Sequence, residues 1–78
     1  MKKKSFDMLV GTGTQLAFEY EGFDWEHISD MMATFDKNPG FDGDELMHAA
    51  NLAKEAKDKN MNYEDAEKYV KYKLIKEG

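Results

Sequence analysis

The hydrophobic pattern is clearest in the last quarter of the chain. Apolar side chains recur there at the spacing of one helical face: Tyr63, Ala66, Tyr69, Val70 and Leu74. Asn62 is a suitable N-cap before this stretch. Acidic residues precede lysines along it, an order that complements the helix dipole. We therefore predict a helix over residues 63–76.

The preceding stretch shows a second helical pattern, built largely from small side chains. Its apolar positions are Leu46, Ala49, Ala50, Ala53 and Ala56. A face of alanines lets a neighbouring helix approach at the short end of the roughly 8–10 Å spacing between packed helices. Asp42, Gly43 or Asp44 can cap its start, and it should end near residue 57 or 58. The polar residues 58–62 form a short connection, which favours an antiparallel helix pair.

A third, shorter helix is predicted from an N-cap at Asp24 to about residue 35, before Pro39 and Gly40 end the element. The apolar residues on its inward face are Trp25, Ile28, Met32 and Phe35. The aromatic side chains expected in the core are Tyr20, Trp25 and Phe35. Those beside predicted turns, expected to be more exposed, are Phe23 and Phe41.

The first twenty residues fit two patterns. A helical stripe starts after Ser5 as a possible cap and stops at Gly22. Alternation on either side of Gly11 and Gly13 instead fits a β-hairpin at about residues 6–20. Two glycines inside a helix cost roughly 2 kcal/mol. We favour a helix, either continuous or broken near these glycines, because it gives an all-α bundle of three to four helices; the alternative is an α+β fold.

Length and composition favour one domain over residues 1–78, with residues 1–4 as a flexible basic tail. The chain has no cysteine, which fits a reducing cytoplasm. Its apolar runs are too short for a membrane span. The expected localisation is therefore cytoplasmic.

Charge is concentrated in the acidic segment, residues 19–45. It contains nine carboxylates and one lysine, Lys37, and its charge of −8 exceeds the net −5 of the chain. Such a field attracts basic surfaces and repels phosphate. All cations of the chain are lysine, and arginine, the preferred residue for gripping phosphates and guanine, is absent. We expect no direct binding to nucleic acid.

Within this segment, residues 35–46 resemble an EF-hand calcium loop at their opening and close, with Asp-x-Asn first and Asp-Glu-Leu last. The resemblance implies a divalent-metal site with these ligands: Asp36, Asn38, Asp42, Asp44 and Glu45. Asp36 to Glu45 spans ten residues, fewer than the EF-hand loop has, and Phe41 stands where that loop needs glycine. The alternative is structural, with the same residues turning the chain and capping helices.

No arrangement of residues indicates catalysis. The two serines lie outside any nucleophile elbow, and His27 and His48 lack the spacing of a zinc site. Carboxylates are numerous, but no pair is marked as acid and base. We expect no enzyme and no cofactor beyond weak divalent-cation binding.

The most probable function is therefore non-catalytic binding of a basic protein surface, with an aromatic anchor among carboxylates. The expected contact residues are Asp24, Glu26, Asp30, Phe41, Asp42, Asp44 and Glu45. A narrower hypothesis is an inhibitor that mimics nucleic-acid phosphates, such as an accessory protein of a phage or mobile element. The alternatives are a calcium-responsive helix-loop-helix protein and a structural subunit that self-assembles through the alanine face and Val70 and Leu74.

Overall fold

The computed structural model describes residues 3–35 and 39–77 of the chain. Its four helices are α1 (Lys3–Glu19), α2 (Trp25–Ala33), α3 (Gly43–Asp58) and α4 (Tyr63–Glu77). The predicted all-helical bundle is confirmed. The hairpin alternative is wrong, since no strand occurs within the described ranges.

Helix α1 is continuous through both of its glycines, and the packing of Gly13 explains why. A Cβ atom added to Gly13 would lie 2.8 Å from the Cβ of Ala49 and 3.0 Å from the backbone nitrogen of Ala50. The absence of a side chain therefore lets α1 approach α3 closely, and this packing offsets the lower helix propensity of glycine. Lys3 and Lys4, expected in a flexible tail, belong to α1.

Helices α1 and α3 run parallel. Gly13 lies opposite Ala49, and further along both helices the Nζ of Lys57 donates to the carbonyl oxygen of Ala17 at 3.2 Å. Residue numbers therefore rise together along the contact. Two parallel helices need a connection that returns along the bundle, and residues 20–42, which include α2, provide it.

Helix α4 runs antiparallel to α3, as predicted. The hydroxyl of Tyr69 donates to Glu55 at 2.6 Å, and His48 lies 2.6 Å from Glu77, so residue numbers fall along one helix as they rise along the other. Asn60, with a left-handed φ of 67°, lies at the turn between them. The C-terminal end of α4 therefore lies beside the N-terminal half of α3.

The core lies between α1, α3 and α4, with α2 covering a further side of α3. All five residues of the predicted inward face of α3 are fully buried: Leu46, Ala49, Ala50, Ala53 and Ala56. Val70 of α4 and Ile28 of α2 are also fully buried. The alanine face and Val70 therefore lie in the interior of one chain and are not exposed for self-assembly. Leu74 is half-buried, and self-assembly itself stays a prediction.

The placement of four aromatic side chains differs from the sequence prediction. Trp25 is 52% exposed and Tyr20 39%, whereas Phe41 is only 4% exposed and Phe23 is half-buried. Phe23 and Phe41 each immediately precede a helix N-cap, a position whose apolar side chain often packs back onto the helix. Phe41 also meets Phe35 edge to face, with centroids 5.7 Å apart. Of the two rings expected to be exposed, Phe41 therefore lies in the core and Phe23 packs against it.

Candidate functional site

Two reciprocal capping boxes fix the starts of α2 and α3. The amide of His27 donates to Oδ1 of Asp24 at 3.2 Å, and the amide of Asp24 donates to Nδ1 of His27 at 3.1 Å. At α3 the amide of Glu45 donates to Oδ1 of Asp42 at 2.9 Å, and the amide of Asp42 donates to Oε1 of Glu45 at 3.2 Å. Asp24, Asp42 and Glu45, all expected to contact a partner, thus have a local structural role.

The two capped ends lie together, and Trp25 lies at their junction. A Cβ atom added to Gly43, the first residue of α3, would lie 3.1 Å from Cη2 of Trp25 and 3.6 Å from Cγ2 of Ile28. One part of the indole ring therefore covers the start of α3. The rest faces solvent, since half of the residue is exposed.

Three further predicted contact residues, Glu26, Asp30 and Asp44, take no part in capping and are exposed. Glu26 and Asp30 are one turn apart on the outward side of α2, and Asp44 directly follows Gly43. We name these three carboxylates together with Trp25 the Trp25 surface.

The carboxylates of the Trp25 surface are not neutralised by lysine within the described ranges. The Lys–carboxylate ion pairs found there use other acids: Glu55, Glu64 and Asp7. Lys37, the one lysine of the acidic segment, lies outside the described residues. Among the described residues, therefore, none of these carboxylates is paired with a lysine, and we treat them as available to an external cation or basic surface.

Phe41 does not belong to this surface. Its ring is buried in the core, so the expectation that it forms an exposed anchor is wrong. Trp25, which the sequence pattern placed inside, is the most exposed described aromatic side chain of the acidic segment, next to Glu26 in the chain and against the start of α3.

The metal-site hypothesis gains no geometric support. Asp36 and Asn38 lie outside the described residues. Asp42 and Glu45 each use one carboxylate oxygen in the capping box. Among the residues that the structure describes, no group of three or more histidines, cysteines or carboxylates is arranged to hold a metal ion.

The two histidines have separate local partners. Nδ1 of His27 lies 3.0 Å from Oδ1 of Asp24 and 3.1 Å from its amide, so it accepts from the amide when neutral and donates to the carboxylate when protonated. His27 also contacts Tyr20, with ring centroids 4.7 Å apart and the ring planes tilted by 41°. His48 pairs with Glu77.

The cap at Asp24 makes a specific contribution to acid sensitivity. The backbone hydrogen bond from His27, and secondarily the charge of that histidine, lower the pKa of Asp24 below its usual value. A carboxyl whose pKa is depressed by folding stabilises the folded state above its unfolded pKa. This contribution is lost as the pH falls through the folded pKa.

We therefore expect Asp24→Asn to retain the cap at pH 7, because asparagine caps as well as aspartate, and to lose less stability on acidification than the native chain. Urea unfolding at pH 7 and at several values below pH 4 measures this. Asp58→Asn, at an exposed acid without a cap, is the matched control. An identical pH dependence for Asp24→Asn and the native chain would contradict the assignment.

A second exposed surface was not anticipated from the sequence. Tyr72 and Ile75 of α4 are 59% and 66% exposed. The sequence did contain a signal for this surface. Both residues lie outside the inward positions predicted for residues 63–76, and both have lysines as sequence neighbours.

None of the described helices combines the length and apolar character needed to cross a membrane. Comparison of the chain with protein-family models, with curated proteins and with solved structures finds no match. The functional argument therefore depends on the geometry of the molecule itself.

Proposed function

We propose that this protein is a non-catalytic binding module whose Trp25 surface docks onto a basic surface of another protein. The observation that carries the proposal is a half-exposed tryptophan at the junction of two helix starts, with carboxylates that no described lysine neutralises. Tryptophan is enriched among the residues that dominate binding energy, since its large ring buries much apolar area at low entropic cost.

The charges have a different role from the ring. Exposed carboxylates each contribute little to affinity, about 0–1 kcal/mol, but they accelerate encounter with a cationic partner and reject anionic ones. Docking of a basic surface over Trp25 would bury the ring and place cations beside Glu26, Asp30 and Asp44. The expected complex is therefore sensitive to salt.

A narrower form of the proposal is inhibition by mimicry, in which these carboxylates occupy the phosphate positions of a nucleic-acid-binding groove. It is supported by the same negative surface and by the absence of arginine in the chain. Double-stranded DNA should then compete with this protein for the captured partner. A partner that binds both at once would exclude mimicry and leave the broader proposal standing.

The broader proposal is tested with two triple variants of equal net charge. E26Q/D30N/D44N neutralises the Trp25 surface, and D58N/E64Q/D65N neutralises three exposed acids elsewhere, so each changes the formal charge from −5 to −2. Proteins captured from lysate at low and high salt are identified and purified, and their affinities are measured. We expect about a 10-fold or greater loss for the first variant and less than about 3-fold for the second.

Equal losses in the two variants would show that only overall charge matters and would contradict docking at the Trp25 surface. Recovery of no basic partner at low salt would contradict the proposal as a whole.

A further inference from the structure

The second half of α4 presents an apolar pair that the described chain leaves exposed. Tyr72 and Ile75 are the two most exposed large hydrophobic residues described. Lys68 and Lys76 lie on the same side, because residues spaced by four, seven and eight positions share one helical face. We name Lys68, Tyr72, Ile75 and Lys76 the α4 face.

This face is strongly positive. Residues 68–77 contain four lysines and one acid, Glu77, whose carboxylate is bound to His48 at 2.6 Å. The nearest acid to Lys68 is Glu64 at 3.8 Å, an exposed pair that contributes little. The Nζ of Lys76 lies over the Tyr72 ring, 5.8 Å from its centroid. Lys71 is likewise paired with Asp7 at 3.8 Å, also between exposed side chains. The α4 face therefore combines apolar contact area with positive charge that exposed ion pairs offset only weakly.

We propose that the partner of the α4 face is the Trp25 surface of a second copy of this chain. The inference rests on the proposed function of the Trp25 surface as a docking site and names one partner for it. Each surface has an exposed apolar centre, and their charges are opposite. Pairing either surface with its own equivalent would instead oppose like charges, which is unfavourable.

A single chain cannot bring its own two surfaces together. Helix α2 packs against α3 and makes no backbone contact with α4. The contact between copies is therefore heterologous, with a different surface contributed by each copy. Each copy in a dimer keeps one unused surface, so association continues to a ring or an open chain.

The expected association is weak and sensitive to salt, because four side chains on each copy make a contact at the low end of the size of specific interfaces. Sedimentation velocity between about 10 µM and 1 mM covers the corresponding affinity range. The average mass of the native chain should rise with concentration at low salt and fall at high salt.

Two charge-reversal variants test the pairing. E26K/D30K blocks the Trp25 surface and leaves the α4 face, and K68E/K76E does the reverse. All four positions are exposed on helices, and circular dichroism verifies folding. Each variant alone should remain monomeric, because its two surfaces then carry charges of the same sign. An equimolar mixture should associate again, because each surface of one variant is complementary in charge to the other surface of the second variant. The quadruple variant, with both charges exchanged, should associate again.

Several results would overturn the inference: a native chain that is monomeric at 1 mM and low salt, variants that associate as the native chain does, or a mixture that stays monomeric. Binding of a monomeric native chain to anionic lipid vesicles, lost in K68E/K76E, would also overturn it by giving the α4 face another partner.

The proposed function has a separate test, which asks whether the E26K/D30K variant still captures a basic protein. If that capture is lost while the native chain stays monomeric, only the inference fails. If capture is unchanged, the docking role of the Trp25 surface fails as well.

Discussion

Replacing Gly13 with leucine is expected to lower the free energy of unfolding by about 3 kcal/mol or more, a large part of the roughly 4–12 kcal/mol available to a chain of this length. Even the first carbon of a side chain would lie 2.8 Å from the Cβ of Ala49 and 3.0 Å from the backbone of Ala50. These atoms belong to a helix and cannot rotate away. The variant must therefore separate α1 from α3 or unfold.

Alanine at position 13 tests the close contact between α1 and α3 more specifically, because it adds only a Cβ atom. Gly13→Ala gains about 1 kcal/mol of helix propensity but must displace α3, and overpacking of this kind costs about 1–3 kcal/mol. We expect a net loss of stability in urea unfolding.

Gly11→Ala is the matched control, two residues away in the same helix. Its added Cβ would meet only Oε2 of Glu67 at 3.8 Å, an ordinary contact. It should gain about 0.5–1 kcal/mol. A gain at both positions would show that α1 and α3 are not in close contact at Gly13.

The second large effect concerns binding. Trp25→Ala should weaken the complex with the basic partner by about 30-fold or more, which corresponds to about 2 kcal/mol or more for an aromatic anchor at the centre of an interface. Because half of the residue is exposed, the chain should stay folded. Isothermal titration calorimetry with the purified partner measures the affinity.

Met8→Ala is the matched control for this measurement. Met8 is also a partly exposed large apolar residue, but it lies on α1. Its truncation should change the affinity less than about 2-fold. Comparable losses in the two variants would place the binding surface elsewhere.

The helices of this protein follow from local rules. Asp24 and Asn62 were identified as caps from their position before apolar periodicity, and Asp42 was one of three candidates for the start of α3. Each of the three accepts the expected amide hydrogen bond. The alanine spacing of α3 also predicted which side faces the core. Such signals involve residues that are close together in the sequence, so they can be recognised without knowing the tertiary structure.

The uncertain part of the prediction was α1, because the role of Gly13 depends on a residue thirty-six positions later, Ala49. Helix propensity alone predicts that Gly13 destabilises α1. The tertiary contact makes it the residue that permits close packing.

Prediction of the candidate site from the sequence was limited in the same way, because the site also depends on tertiary contacts. The sequence identified the acidic segment and all three carboxylates of the Trp25 surface. It could not show that the starts of α2 and α3 meet, and it exchanged the positions of Trp25 and Phe41. Helical spacing places Trp25 near the inward side, yet the rings in or against the core are those that precede each helix, Phe41 and Phe23.

The chain contains a single tryptophan, so its fluorescence reports on the Trp25 surface alone and tests docking most directly. The purified basic partner is titrated into the native chain while emission and acrylamide quenching are recorded. Burial of the ring predicts a saturable blue shift and reduced quenching, both reversed by high salt. Binding detected by calorimetry without any change in Trp25 emission or quenching would contradict docking at this surface.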